Sequence, residues 1–249
     1  MKKKIVRICL AIFLLIMLAA CSKLKTKRAT EVKKPNIVFL LVDDLGWGGD
    51  FGCYGAKFNE TPNIDKLASE GMLFNNAYAA STVCSPSRAA ILTGRYPART
   101  HLTDWIEGHD FPNAKLSVPK WNKRINHKRI TLPEALKQGG YNTSFFGKWH
   151  LMPINQPDFN QHYPTNHGFD INIGGNEWGG MPKGKGKYFS PFEMPNLDDG
   201  NPGDYLTDKL TDAAITHLDT INKKAPFIIL FLLHNTWANY VSKGIGRKV

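Results

Sequence analysis

The sequence predicts an α/β fold built around a mostly parallel sheet, and three observations carry the prediction. Two short runs, residues 36–42 (NIVFLLV) and 226–233 (PFIILFLL), are continuously apolar after their first residue and rich in branched side chains, the pattern of strands buried on both faces of a parallel sheet. Segments with helix-start signals alternate with strand-like runs between them, as right-handed crossover connections require. Of the 249 residues, 42% are apolar and 21% are charged, which is enough to bury a core and rules out a disordered or fibrous chain.

Taken in order, the first strand ends at Asp43-Asp44. Thr61-Pro62 supplies a cap followed by proline in the first helical turn, and Gly71 ends that helix. Residues 72–78 then read as a strand. A helix over 85–92 closes at Gly94, and Thr131-Leu132-Pro133-Glu134 is a capping box that opens a helix stopped by Gly139-Gly140. Residues 141–146 follow as a strand. Over 204–221 the apolar residues Leu206, Leu210, Ala213, Ala214, Leu218 and Ile221 fall at helical spacing, and the second buried strand comes next. The stretch 155–203, rich in Gly, Pro and Asn, reads as one long irregular insertion, and a loop of that length usually carries function.

Ahead of this body stands an export signal. Lys2, Lys3, Lys4 and Arg7 precede an apolar run over residues 8–20, which is shorter than the roughly 18–20 residues needed to span a bilayer. The run ends in Leu18-Ala19-Ala20-Cys21. Small residues before a cysteine resemble the lipobox of bacterial lipoproteins, so residues 1–20 are expected to be a lipoprotein signal peptide and Cys21 the lipidated first residue of an exported, membrane-anchored protein. An ordinary cleaved signal is the alternative. Residues 21–34 form a basic tether. The net charge of +11 sits largely in these segments, because residues 35–249 hold 22 basic and 20 acidic side chains. A body so close to neutral is not a general nucleic-acid binder. Cys9 leaves with the signal, so Cys53 and Cys84 are the cysteines left in the body, where they could pair.

Ligands of open α/β sheets bind beyond the carboxyl ends of the strands, and three sets of polar residues stand there. Asp43-Asp44 follow the first run, Gly147-Lys148-Trp149-His150 follow the strand over 141–146, and His234 follows the last run. Adjacent carboxylates are costly to hold together unless a cation neutralises them, and hard oxygen ligands favour Ca²⁺ or Mg²⁺. A helix cap or surface turn would explain the pair equally. Lys148 and His150, two apart on an extended segment, point to one side, which suits grasping an anion and relaying a proton.

The segment Cys84-Ser85-Pro86-Ser87-Arg88, followed by Leu92-Thr93-Gly94-Arg95, resembles the Cys-x-Pro-x-Arg signature of the type I sulfatases. Asn36-Ile37-Val38 through Asp43-Asp44-Leu45-Gly46, Thr61-Pro62-Asn63-Ile64-Asp65, Gly147-Lys148-Trp149-His150 and His167-Gly168-Phe169-Asp170 stand in that family's order, so the resemblance covers residues 35–234. It implies an alkaline-phosphatase-like fold, here truncated after the first half, and a formylglycine-dependent hydrolase of sulfate esters. A maturation enzyme would oxidise Cys84 to an aldehyde whose hydrate supplies the nucleophilic oxygen. The second hydroxyl of the gem-diol would let the enzyme-bound sulfate ester be expelled by elimination. By the same resemblance Asp43 and Asp44, with residue 84, hold a divalent cation, calcium before magnesium. Arg88 stabilises the hydrated aldehyde, Lys148 binds a sulfate oxygen, His150 positions or deprotonates the formylglycine hydroxyl, and His234 protonates the leaving alcohol.

The chain also departs from the pattern. The family commonly continues from a histidine with Thr-Pro, whereas this chain reads His234-Asn235-Thr236-Trp237, and no Asp or Glu follows Asp219. An Asp-Asn pair and a further lysine that the family's later part supplies have no counterpart. Residues 235–249 are therefore expected to be an atypical tail, with a truncated or frameshifted gene product as its explanation, and the activity to be impaired. A phosphatase or phosphonate hydrolase of the same superfamily and an inactive sulfatase-like surface lipoprotein are the competing readings. Expected partners are a sulfated small molecule or glycan, the maturation enzyme, and a membrane reached through Cys21. The basic patches 120–129 and 183–187 read as solvated loops, with contact to a sulfated polysaccharide as the alternative, and Trp105, His109, Trp178 and Tyr188 could stack on sugar rings.

Overall fold

The computed structural model describes residues 33–46, 50–154, 156–180 and 188–234, with His234 described by its backbone alone. The signal segment, Cys21, the patch 183–187 and the tail 235–249 lie outside the described residues. Four strands, β1 (Ile37–Asp43), β2 (Asn142–Gly147), β3 (Ile171–Ile173) and β4 (Phe227–His234), form one parallel sheet in the order β1-β4-β2-β3. The α-helices among the described residues are α1 (Pro62–Glu70), α2 (Cys84–Thr93), α3 (Pro97–Thr100), α4 (Leu132–Gln138) and α5 (Leu206–Thr220).

Strand periodicity divides the core into two layers. Phe145 of β2 and Leu230 and Leu232 of β4 pack with Ala89 and Leu92 of α2, Trp149, Leu102 and Ile106. The alternate residues Phe146, Ile229 and Phe231 pack with Leu206, Leu210 and Ala214 of α5 and with Phe192. The sheet therefore carries α2 on one face and α5 on the other. Each fully buried side chain of this size contributes about 1.5–3 kcal/mol.

The helix signals act largely as read, with local differences. Thr131 caps α4, accepting from Glu134 N at 3.4 Å while its own backbone N–H donates to Glu134 Oε2 at 2.7 Å. Gly94 closes α2 in the left-handed region, φ 62°, where a Cβ would be strained. Thr61 precedes α1 but does not cap it. Its hydroxyl accepts from Gly52 N and donates to Asp65 Oδ1, whose carboxylate also takes the Cys53 N–H.

Several expectations are corrected. Residues 72–78 are not a strand: Met72, Phe74 and Tyr78 are 62–89% exposed, and an apolar run becomes a strand only when a neighbour supplies the ladder, which no described segment does. β4 is buried on both faces, but β1 is not, because it lies at the sheet edge and nothing described covers the side that carries Val38 and Leu40, each more than half exposed. The insertion is less irregular than it reads. It holds 3-10 turns at Phe159–Gln161 and Pro164–His167 and the three-residue β3, which is too short for periodicity to reveal. Cys53 and Cys84 are both free thiols.

Candidate active site

Register aligns three strand ends. Asp43 of β1 pairs with His234 of β4, and Gly147 of β2 pairs with Leu232. Only glycine fits at 147: φ is +94°, and a Cβ would collide with the Leu232 carbonyl oxygen. The chain can therefore turn tightly out of the sheet, with Lys148 N donating to Leu232 O at 3.1 Å, and deliver Lys148, Trp149 and His150 beside the end of β1. Trp149 is buried and anchors the segment, its indole N–H donating to the His162 carbonyl at 2.8 Å.

Asp43 is the electrostatic centre of the cluster. Its Oδ1 lies 3.1 Å from Arg88 Nη2, and its Oδ2 accepts from Lys148 Nζ. Burial opposes ionisation, but the guanidinium of Arg88 and the ammonium of Lys148 outweigh it and hold the Asp43 carboxyl below the usual aspartate range. Arg88, on α2, is itself buried and donates from Nη1 to the Lys148 carbonyl at 2.5 Å. Its Nε and Nη2 have no aligned hydrogen-bond acceptor among the described residues. Asp44 follows with φ 57° at the mouth of the site, a backbone state aspartate tolerates better than most residues.

Cys84 opens α2, and its Sγ lies 3.2 Å from His150 Nδ1. The other ring nitrogen, Nε2, contacts the Ile106 carbonyl. A carbonyl oxygen only accepts, so Nε2 carries the proton and Nδ1 presents its lone pair to residue 84. Burial, then the charge of Lys148, lower the His150 pKa to about 4 despite the Ile106 bond, so the ring is neutral near pH 7 and able to accept a proton. Ser85 braces this geometry: its hydroxyl donates to the His150 carbonyl at 3.0 Å and accepts from Ile106 N at 3.1 Å. His150 N donates to Asn176 O at 3.1 Å. Gly179 lies so close to the imidazole that a Cβ there would overlap it.

A groove of about 890 Å³ opens on this cluster, lined by Asp43, Asp44, Cys84, Ser87, Arg88 and Arg95 among others. Asp43, Cys84, Arg88, Lys148 and His150 thus meet in one place. His234 reaches the same strand end by register, and its side chain is outside the description. The contributions of the Ile106 carbonyl, Asn176 and Gly179 were not readable from sequence, because two act through backbone atoms and the third through the lack of a side chain. Trp105 donates to His109, which is held by Asp104, and the patch 120–129 is partly neutralised by the pairs Lys123–Glu107 and Arg124–Asp158.

The chemistry implied for a divalent cation fits these residues in kind but is short in number. Asp43 and Asp44 are hard oxygen donors at the groove, yet both oxygens of Asp43 face cationic side chains. The buried Nε of Arg88 has no partner among the described residues and is a donor left over, while Nη1 and Nη2 are engaged by the Lys148 carbonyl and by Asp43.

Residues 35–245 match the Sulfatase family. The N-acetylgalactosamine-6-sulfatase of Rattus norvegicus is 41% identical over 185 residues, which are 73% of this chain and 32% of that protein. The N-acetylglucosamine-6-O-sulfatase of Bacteroides thetaiotaomicron is 33% identical over 223 residues, 88% of this chain and 34% of that protein. The structure of Ps i-CgsB in complex with k-i-k-neocarrahexaose superposes with a TM-score of 0.60 at 28% identity, covering 87% of this chain and 50% of that one. The chain spans about a third of the length of the curated relatives it matches. Its parallel sheet flanked by helices is part of the alkaline-phosphatase-like fold, and the chain belongs to the sulfatase family.

Proposed function

We propose that this chain carries the nucleophile side of a sulfate-ester hydrolase that acts on sulfated carbohydrate after Cys84 is oxidised to formylglycine. The observation that carries the reading is the contact between residue 84 and the lone pair of a neutral His150, inside Cys-x-Pro-x-Arg and beside the Asp43–Lys148–Arg88 cluster. The sulfated sugars named for the two relatives, and the oligosaccharide held by Ps i-CgsB, support the carbohydrate class.

Cys84 Sγ stands where the hydrate oxygen of formylglycine would be. That group, once formed, supplies a hydroxyl nucleophile and a second hydroxyl on the same carbon. His150 Nδ1 accepts the proton of the attacking hydroxyl, and the Ile106 carbonyl keeps its ring in the required tautomer. Lys148 Nζ, balanced by Asp43, is assigned as a donor to sulfate oxygens. The backbone N–H groups of Cys84 and Ser85 open α2 with no side-chain cap from Val83, which favours an anion there. Arg88 Nε, left over from the contacts to Asp43 and the Lys148 carbonyl, is assigned to hold an oxygen at residue 84. His234, beside Asp43 in register, is assigned to protonate the leaving alcohol.

Asp43, Asp44 and residue 84 would hold calcium, or magnesium in its place, and the cation would neutralise charge on the sulfate oxygens. Two carboxylates fall short of the roughly six to eight oxygen ligands calcium takes, so the 249-residue chain by itself is expected to turn over esters slowly. We further propose export and attachment to a membrane through acylated Cys21. No helix among the described residues is long and apolar enough to cross a membrane.

The test is turnover of 4-nitrophenyl sulfate and 4-nitrophenyl phosphate side by side, after co-expression with a formylglycine-generating enzyme. The sulfate should be preferred and Cys84→Ala should abolish its hydrolysis. A preference for phosphate, or activity that survives Cys84→Ala, overturns the reading.

A further inference from the structure

Beside Trp149, whose ring centroid lies 5.8 Å from that of His167, three imidazoles meet. His162 follows the turn Phe159–Gln161, His167 ends the turn Pro164–His167, and His127 comes from the loop before α4. Their rings are nearly parallel, with centroids 4.6 Å apart for His127 and His167, 4.8 Å for His127 and His162, and 5.7 Å for His162 and His167. Each offers one ring nitrogen, and these three nitrogens lie within 4.8 Å of one another. Among the described residues it is the one group of three or more His, Cys, Asp or Glu side chains that converges in this way.

The second observation is a pair of unsatisfied nitrogens. His162 and His167 are 2% and 1% exposed, and His162 Nδ1 and His167 Nε2 are buried with no hydrogen-bond partner. One such orphan costs about 1–3 kcal/mol, and here two belong to neighbouring rings. Burial, with the neighbouring histidines, pushes His167 down to about 3, and burial lowers His162. Both rings are therefore neutral, the form in which imidazole binds metal.

The surroundings hold the rings in place. Asp158 Oδ2 lies 3.5 Å from His162 Nε2, the arrangement in which a carboxylate orients a ligating imidazole from behind. The backbone on either side is pinned as well, with Trp149 Nε1 donating to His162 O at 2.8 Å and Thr131 Oγ1 to His167 O at 2.7 Å.

We infer that His127, His162 and His167 form a binding site for a divalent transition metal, Zn²⁺ before others, separate from the groove at Cys84. Three imidazoles suit zinc, whereas Ca²⁺ and Mg²⁺ prefer oxygen. With Zn–N bonds of about 2.0–2.1 Å, tetrahedral geometry sets the nitrogens about 3.4 Å apart. His127 lies stacked on the other two rings, so its in-plane lone pair runs alongside theirs, and ligation requires this exposed ring to turn out of the stack while the two buried rings stay in place and water completes the fourth position. Bound there, zinc ties the turns at 159–167 to the loop before α4 and so braces Trp149, which stands between Lys148 and His150. The metal is structural and takes no part in the chemistry at residue 84.

The experiment uses the untagged full-length chain, stripped with chelator and titrated with ZnCl₂, with zinc content read by mass spectrometry and the site read by the visible absorption of Co²⁺ in its place. The expected result is one zinc per chain, tetrahedral Co²⁺ bands, and a higher melting temperature that Ca²⁺ does not reproduce. His127→Ala, an exposed substitution that should leave the circular dichroism unchanged, weakens zinc binding by about 100-fold. Cys84→Ser and Asp43→Asn leave it intact. Absence of stoichiometric zinc, undiminished affinity in folded His127→Ala, or loss of zinc in Cys84→Ser would each overturn the proposal.

Discussion

Gly179→Ala probes the seating of His150 without touching a titratable group. A Cβ at 179 would lie 2.7 Å from His150 Nδ1 and closer still to Cε1 and Nε2, so either the imidazole swings away or the segment 176–180 backs off. The first outcome breaks the bond to the Ile106 carbonyl and leaves a buried polar group unpaired, at about 1–3 kcal/mol. The second is overpacking, which costs a similar amount, about 1–3 kcal/mol. In a body of this size each kcal/mol lowers the melting temperature by about 2–4 °C, so the variant should melt about 2–12 °C below the parent. Thermal unfolding followed by near-ultraviolet circular dichroism gives the stability, and nitrogen-15 NMR of the imidazole gives the tautomer. Gly180→Ala is the control, since a Cβ there meets nothing within 4 Å. An unchanged melting temperature together with an undisturbed Nε2–H tautomer in Gly179→Ala would refute the account of how His150 is held.

Further expectations come from the same network. Arg88→Met removes a buried guanidinium from Asp43 and from the Lys148 carbonyl and should cost about 3–5 kcal/mol in urea unfolding, with a loss below about 1 kcal/mol contradicting the ion-pair account. Thr131→Ala loses both the α4 cap and the bond to the His167 carbonyl, for about 1–2 kcal/mol; Thr131→Ser should recover most of it. Stability should also fall in acid. His150 and His167 have folded pKa values of about 4 and about 3 against 6.5 for the ordinary group, so below pH 6.5 the unfolded chain takes up protons first. With chelator present, each histidine then removes up to about 1.4 kcal/mol per pH unit until its folded value is reached, and a flat urea midpoint between pH 6.5 and pH 4 would contradict their burial.

What the sequence discloses and what it hides follows from the kind of atom involved. Asp43, Cys84 and Lys148 stand where chain punctuation marks them, at the end of an apolar run, at a helix start before Pro86, and after a glycine that must turn. Their convergence follows from a parallel sheet whose strand ends share one edge. The tautomer of His150 depends on the carbonyl of Ile106, and every residue has a carbonyl, so no residue type announces it. Gly179 matters only because a ring from 29 positions earlier packs against it. The three histidines at 127, 162 and 167 come from separate loops without metal-ligand spacing. Residues 72–78 and the outer side of β1 were misread for one reason: apolarity records what a segment can bury, and burial depends on a neighbour that residue patterns do not supply.

The most direct measurement is mass spectrometry of the tryptic peptide 67–88 from protein co-expressed with a competent maturation enzyme. The account predicts an aldehyde at residue 84, seen as sulfur replaced by oxygen with loss of two hydrogens and trapped by a hydrazine probe. A cysteine still intact there, alkylated quantitatively by iodoacetamide, would contradict it.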